Sequence, residues 1–225
     1  MADYLQIDAS GVHVIPHGLN LEGHAQRPES ADPSTVVIGF LARVCHDKGL
    51  HLLAEAFIQL AQDPSLPRIE LKAAGYLSSA DRPYLREIET RLAQAGLADR
   101  FAYLGEIDRA EKIAVLQSFD VMALPTVYRE SKGLPVLEAW ANGVPVVVPR
   151  HGAFPEMIAD TGGGLLCEPE DVASLANALA QLIRAPEKRA ELGRQGRAAV
   201  LDRYHAEAMA ANTRALYQRL IAGEA

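Results

Sequence analysis

The chain has little of what would mark a disulfide scaffold, a metal protein, a membrane protein or a general nucleic-acid binder. Its 225 residues include two cysteines, Cys45 and Cys167, far apart and without metal-ligand spacing. A disulfide framework is excluded, and both are read as reduced thiols of a cytoplasmic protein. The seven histidines form no cluster with cysteine, so no metal site is expected. No apolar run is long enough to span a bilayer, and no signal-peptide pattern is seen. Repeats and low-complexity tracts are also missing. Basic residues are outnumbered, 22 Lys and Arg against 29 Asp and Glu, and the net charge of −7 argues against nucleic acid as a partner. Any phosphate must be held by a few local cations and backbone amides.

What is present is apolar and periodic. Hydrophobic residues make up 49% of the chain, enough for one α/β domain with a sizeable core. Apolar runs at 35–42, 68–75, 100–104, 121–124, 144–148 and 165–167 read as strands buried on both faces. Between them lie helical patterns at about 49–62, 80–95, 108–118, 133–144 and 155–159. Helices at 171–184, 187–203 and 205–221 follow. Asp108 with Glu111 has capping-box spacing, and Asp171 reads as a second cap. Strand–helix alternation of this length predicts a Rossmann-like, doubly wound parallel sheet with C-terminal helices. Val12–Ile15 is a further short strand candidate, and 19–34, rich in Gly, Pro, Glu and Ser, reads as a loop. We therefore divide the chain into a lead-in linker at 1–34, a Rossmann-like domain at 35–203 and a terminal helical segment at 204–225.

The stretch Glu130-Ser-Lys-Gly-Leu-Pro-Val-Leu-Glu138 organises the rest. It follows the run Val121–Leu124 and opens a helix whose face Leu137, Trp140, Ala141 and Val144 is core. Two carboxylates thus bracket a glycine turn and a helix N-terminus at the carboxyl edge of the sheet, where ligands of open α/β sheets bind. The helix end offers N–H groups to a phosphate, and the carboxylates can accept from sugar hydroxyls. Each glutamate also has a plainer reading, Glu138 as dipole matching and Glu130 as a solvated loop charge. A second basic loop, Arg43 to Lys48, leaves the strand at 35–42. Both cations can reach a pyrophosphate there, or lie solvated. Gly75 ends the next strand and allows either close approach of a ligand or an ordinary turn.

Glu130 and Glu138, with Gly133-Leu-Pro between them, resemble the E-x7-E motif of the retaining family 4, or group 1, glycosyltransferases. Arg43 and Lys48-Gly49 resemble that family's G-R-x4-K-G element, with Ala42 in place of the leading glycine. Val14-Ile-Pro-His-Gly-Leu-Asn20 is similar to the segment that opens its second domain, with His17 and Asn20 departing from the usual Asn and Asp. The resemblance runs from Val14 to about Tyr217 and implies the C-terminal, donor-binding half of a GT-B enzyme.

It further implies a nucleotide-diphosphate sugar donor (UDP-, GDP- or ADP-linked), no required cofactor, and transfer of a hexosyl-type sugar with retention to a sugar, lipid or small-molecule acceptor. Arg43 and Lys48 would grip the diphosphate with the amides of Lys132, Gly133 and Leu134. Glu138 would take the ribose hydroxyls and Glu130 would face the donor sugar. Leu104, Gly105 and Glu106 would wall the base, a βα turn serving equally well for these three. Lys132 stands where the family more often has an aromatic residue. The last helix would pack on an N-terminal, acceptor-binding domain; without it, self-association and loss of transfer are expected. The full-length enzyme would be cytoplasmic or peripheral to the inner membrane face. A sugar-nucleotide epimerase or phosphorylase of similar fold, and a non-catalytic nucleotide-binding module, remain as alternatives.

Overall fold

The computed structural model describes residues 6, 8, 12–27 and 34–223. The remainder, including 28–33 of the expected loop, lies outside the described residues. Six strands carry the sheet: β1 (Thr35–Leu41), β2 (Arg68–Ala74), β3 (Phe101–Tyr103), β4 (Val121–Ala123), β5 (Val146–Pro149) and β6 (Gly164–Cys167). The helices between them are α1 (Leu50–Ala61), α2 (Arg82–Gln94), α3 (Arg109–Gln117), α4 (Leu134–Ala141) and α5 (Phe154–Thr161). Three more follow: α6 (Val172–Arg184), α7 (Pro186–Arg203) and α8 (Ala206–Ala222). All pairings are parallel and the order is β3-β2-β1-β4-β5-β6. This is the doubly wound Rossmann-like arrangement, and its order reverses between β1 and β4.

The caps explain where helices begin. The Glu111 amide donates to Asp108 Oδ1 at 2.9 Å and the Asp108 amide to Glu111 Oε2 at 3.0 Å, closing the capping box of α3. The Ser174 amide donates to Asp171 at the start of α6. Central strands are apolar on both faces because helices cover both: Ile38, Phe40, Val121, Met122, Val146 and Val148 are wholly buried. Trp140 of α4 is the largest such side chain. Its Nε1–H donates to the Gly163 carbonyl at 2.7 Å, and a Cβ on Gly196 of α7 would stand 2.3 Å from its ring.

Two expectations change. Val144 is core but does not belong to the helix: α4 ends at Ala141, Asn142 and Gly143 turn the chain, and Val144 leads into β5. The turn wins because Gly143 takes a positive φ that ends helical hydrogen bonding. Val12–Ile15 is not a strand, and Val14 is 81% exposed. A short apolar segment needs a neighbouring edge to pair with, and no strand of the described sheet pairs with it.

Residues 18–27 are bonded to the body of the domain. The Leu19 amide donates to the Tyr204 carbonyl and the Ala206 amide to the Leu19 carbonyl. The Arg27 amide donates to the Asn142 carbonyl, and its guanidinium reaches Asp120 at 2.9 Å. Asp120 is buried, accepts the Val37 amide through Oδ2 and has the Arg189 guanidinium at 3.6 Å. Such partners offset the cost of taking a carboxylate out of water. Cys167 is buried, which pushes its thiol up to about 12, whereas Cys45 is half-buried. Among the described residues no helix is long and apolar enough to cross a membrane.

Candidate functional site

Two loops meet at the carboxyl edge where the strand order reverses. The first leaves β1. Arg43 is exposed there, and Val44 is buried and tied through its amide to the Tyr76 carbonyl. A 3-10 turn, His46–Lys48, then leads to Gly49, whose φ of 78° is left-handed. A Cβ on Gly49 would stand 1.8 Å from the Pro125 carbonyl oxygen of the second loop. Glycine is required twice over, by backbone conformation and by the closeness of the other chain segment. The Val127 amide donates to the Asp47 carbonyl at 2.9 Å and locks the two loops together.

This docking buries Lys48 against Glu130. Lys48 Nζ lies 2.9 Å from Glu130 Oε2, with side chains only 11% and 9% exposed. Tyr128 completes a triangle: its hydroxyl accepts from Lys48 at 2.5 Å and donates to Glu130 at 2.5 Å, and Nζ stands 4.5 Å from its ring centroid. The amides of Ser131 and Lys132 donate to Glu130 Oε1 at 3.1 and 3.2 Å. Burial alone would raise the Glu130 carboxyl. The hydrogen bonds from Tyr128, Lys48 and Lys132 outweigh it and hold the group at about 2. Burial alone would lower the Lys48 ammonium, and its bonds to Tyr128 and Glu130 reverse the direction. Burial, then the neighbouring carboxylate, raises the Tyr128 phenol. The charged pair bridged by a neutral phenol is therefore the state at neutral pH. Nζ carries three N–H donors, and two are used.

A pH dependence follows. A carboxyl depressed in the folded state stabilises fully above its unfolded value of about 4.3, and that contribution is lost as pH falls toward 2. Glu130→Gln is expected to flatten the decline in melting temperature between about pH 4 and pH 2 relative to the parent. Identical acid limbs in thermal melts of the two proteins would count against a depressed Glu130.

The Lys132 amide donates to the Glu130 carboxylate, two residues back in the same turn. In this turn the amides of Gly133 and Leu134 have no partner among the described residues. The Lys132 side chain is exposed, and Gly133 caps α4 with φ 63°. At Gly75 a Cβ would stand 2.0 Å from the Ala42 carbonyl oxygen, so the loop after β1 already demands glycine there. Leu104 and Glu106 are exposed, and the Gly105 carbonyl accepts from the Gly75 amide. Glu106 shares a cleft of about 440 Å³ with Tyr76, Arg82, Arg86 and Tyr103.

Glu138 lies further down α4, 14% exposed, with Oε1 2.5 Å from Lys112 Nζ of α3. Beneath it, Asn142 Nδ2 donates to the Glu138 carbonyl and meets His24 Nδ1 at 2.9 Å. Burial, then Arg109 and Lys112, hold the His24 imidazole below its usual range. Tyr128 and Lys112 are partners that reading the sequence missed. Lys112 did leave a trace, since it sits one turn before the buried Leu116 on the inward face of α3. Tyr128 lies in an aperiodic loop and left none. Among the described residues no group of three His, Cys, Asp or Glu side chains could hold a metal ion.

A family model, Glycosyl transferases group 1, matches residues 24–199, the whole sheet and both loops included. The chain belongs to the group 1 glycosyltransferases. This group 1 chain is 29% identical over 197 residues to the 2-deoxystreptamine glucosyltransferase of Streptomyces kanamyceticus, covering 88% of itself and 48% of that protein. It is 30% identical over 220 residues to the lipopolysaccharide core biosynthesis mannosyltransferase LpsB of Rhizobium meliloti (strain 1021), covering 92% of itself and 61% of LpsB. It therefore spans about half to three-fifths of the length of these two relatives. Among solved structures it is similar to the C-terminal domain of the group 1 family protein LpcC from Francisella tularensis. The TM-score is 0.74 at 26% identity, over 84% of this chain and all of that one. Membership of the group 1 family and the fold of one GT-B half follow from these matches.

Proposed function

We propose that the chain is the donor-binding half of a retaining glycosyltransferase that takes a sugar from a nucleoside diphosphate. The observation that carries this reading is the meeting of the Arg43–Lys48 loop and the Glu130 loop at the switch point of the sheet, with a helix N-terminus beside them. Charge develops on the departing diphosphate as the glycosidic bond breaks, and fixed cations lower that barrier. Arg43 and the third N–H of Lys48 serve this role, with the Gly133 and Leu134 amides. Glu130, held in place by Tyr128 and Lys48, orients the sugar. Glu138 accepts from ribose, and the Leu104–Glu106 turn borders the base. Two cations suffice to neutralise the leaving group, so no metal is required. The domain similar to LpcC's supports assigning the acceptor site to another domain, on which α8 packs. Tyr217, Leu220 and Ile221 of α8 are 61%, 45% and 87% exposed, an apolar face that would otherwise favour self-association.

Calorimetry with UDP, GDP and ADP tests the reading. At least one should bind. Arg43→Ala should weaken that binding by about 1.5–3 kcal/mol, or about tenfold to a hundredfold in Kd. Arg43 is exposed, so its loss should leave folding stability within about 0.5 kcal/mol of the parent. Unchanged affinity in Arg43→Ala would remove it from the diphosphate grip.

A further inference from the structure

The Lys112–Glu138 contact spans two neighbouring helices, and nothing in the motifs requires it. Both α3 and α4 start at the carboxyl edge of the parallel sheet and run away from it. Lys112 is the fourth residue of α3 and Glu138 the fifth of α4, so the pair sits at a similar depth below that edge. The ammonium takes Oε1 alone, at 2.5 Å. Among the described residues Oε2 has no hydrogen-bond partner. The helix beneath the pair is braced: Asn142 bonds the Glu138 carbonyl, Gln117 Nε2 of α3 donates to Asn142 Oδ1 at 3.2 Å, and Arg109 donates to the Asn20 and Glu22 carbonyls. An unrestrained glutamate has three rotatable side-chain torsions, and fixing them in advance removes an entropic cost from binding.

We infer that Lys112 is a positioning residue for donor recognition: by holding Oε1 it orients the Glu138 carboxylate so that Oε2 accepts from the vicinal hydroxyls of the donor ribose. This rests on the nucleoside-diphosphate reading above. A carboxylate with one oxygen anchored presents its second in a fixed direction, which suits a vicinal diol and discriminates against a sugar that lacks it. A group that only pins two helices would affect stability without regard to the ribose.

The experiment measures the binding of UDP, GDP and ADP, each alongside its 2′,3′-dideoxy counterpart, to the parent, Lys112→Met and Lys112→Arg by calorimetry, with melting temperatures in parallel. In the parent, the ribonucleotide that binds should do so at least about tenfold tighter than its dideoxy form, the scale of one charge-assisted hydrogen bond. Lys112→Met should bring that ratio to within about twofold of unity while leaving the dideoxy affinity unchanged, and Lys112→Arg should restore most of it. A Lys112→Met protein that keeps the parental ratio, whatever its melting temperature, overturns the inference. A ratio that rises in Lys112→Met also overturns it, because Lys112 would then be competing with ribose. If none of the three nucleotides binds the parent, the nucleoside-diphosphate reading itself fails and the inference with it.

Discussion

Lys48→Met is expected to cost about 3–5 kcal/mol of folding stability, the scale of breaking a buried ion pair from one side. The side chain it removes is 11% exposed and faces a carboxylate 9% exposed. Glu130 would keep the Tyr128 hydroxyl and the Ser131 and Lys132 amides, which places the loss toward the lower end of that range. The double variant Lys48→Met with Glu130→Gln should recover a large part, since no uncompensated charge is then buried. Nucleotide binding should not recover with it, because the cation is gone in both. Urea melts and calorimetry on the two variants separate these effects. A Lys48→Met protein within about 1 kcal/mol of the parent would mean that water, rather than Lys48, solvates Glu130. Glu130→Ala, by contrast, removes the acceptor and frees a second N–H of Lys48 for phosphate, so its damage should appear in sugar transfer more than in nucleotide affinity.

Trp140→Ala is expected to lose about 3–5 kcal/mol, the range for emptying a fully buried aromatic position. The indole is wholly enclosed, its N–H is satisfied by Gly163, and two glycines lie against its ring. Relaxation is limited because backbone, not flexible side chain, forms those walls: a Cβ on Gly163 would stand 2.4 Å from Nε1, and one on Gly196 would stand 2.3 Å from Cδ1. The same geometry makes Gly196→Ala an overpacking change worth about 1–3 kcal/mol. Both should move urea midpoints with little change in slope. A Trp140→Ala loss below about 1 kcal/mol would show that α7 closes onto α4 after all. Because α4 carries Glu138, the variant should also weaken nucleotide binding in proportion to the loosening of that helix.

Most of the fold was legible because its signals are local. Apolar runs such as Thr35–Leu41 and Val146–Pro149 are too short and too continuous for surface elements, and Asp108 and Asp171 mark helix starts by side-chain chemistry alone. Val12–Ile15 shows the limit: its composition is strand-like, but pairing is a property of neighbours. Of the candidate site, Lys48, Glu130 and Glu138 stood out in the sequence, whereas their partners Tyr128 and Lys112 and the contacts among them did not. Lys48 and Glu130 are 82 residues apart, and the packing of Gly49 under Pro125 with the Val127–Asp47 hydrogen bond brings them together. At Gly75 the sequence signalled a close approach but not that the loop after β1 makes one, since sequence alone does not show which chain segments meet.

The docking of the two loops has a consequence for anyone seeking to graft a foreign loop onto this domain. Pro125 rests on Gly49, and the Val127 amide is spent on Asp47, so the two segments share one hydrogen-bonded seam. Grafting either loop alone from a homologue would leave that seam mismatched: a side chain at position 49 would collide with the Pro125 carbonyl, and an altered loop length after β4 would strand the Asp47 carbonyl. The workable unit of exchange is the pair, 43–49 together with 124–133, and libraries that vary one half while freezing the other should be dominated by clones that fail to fold.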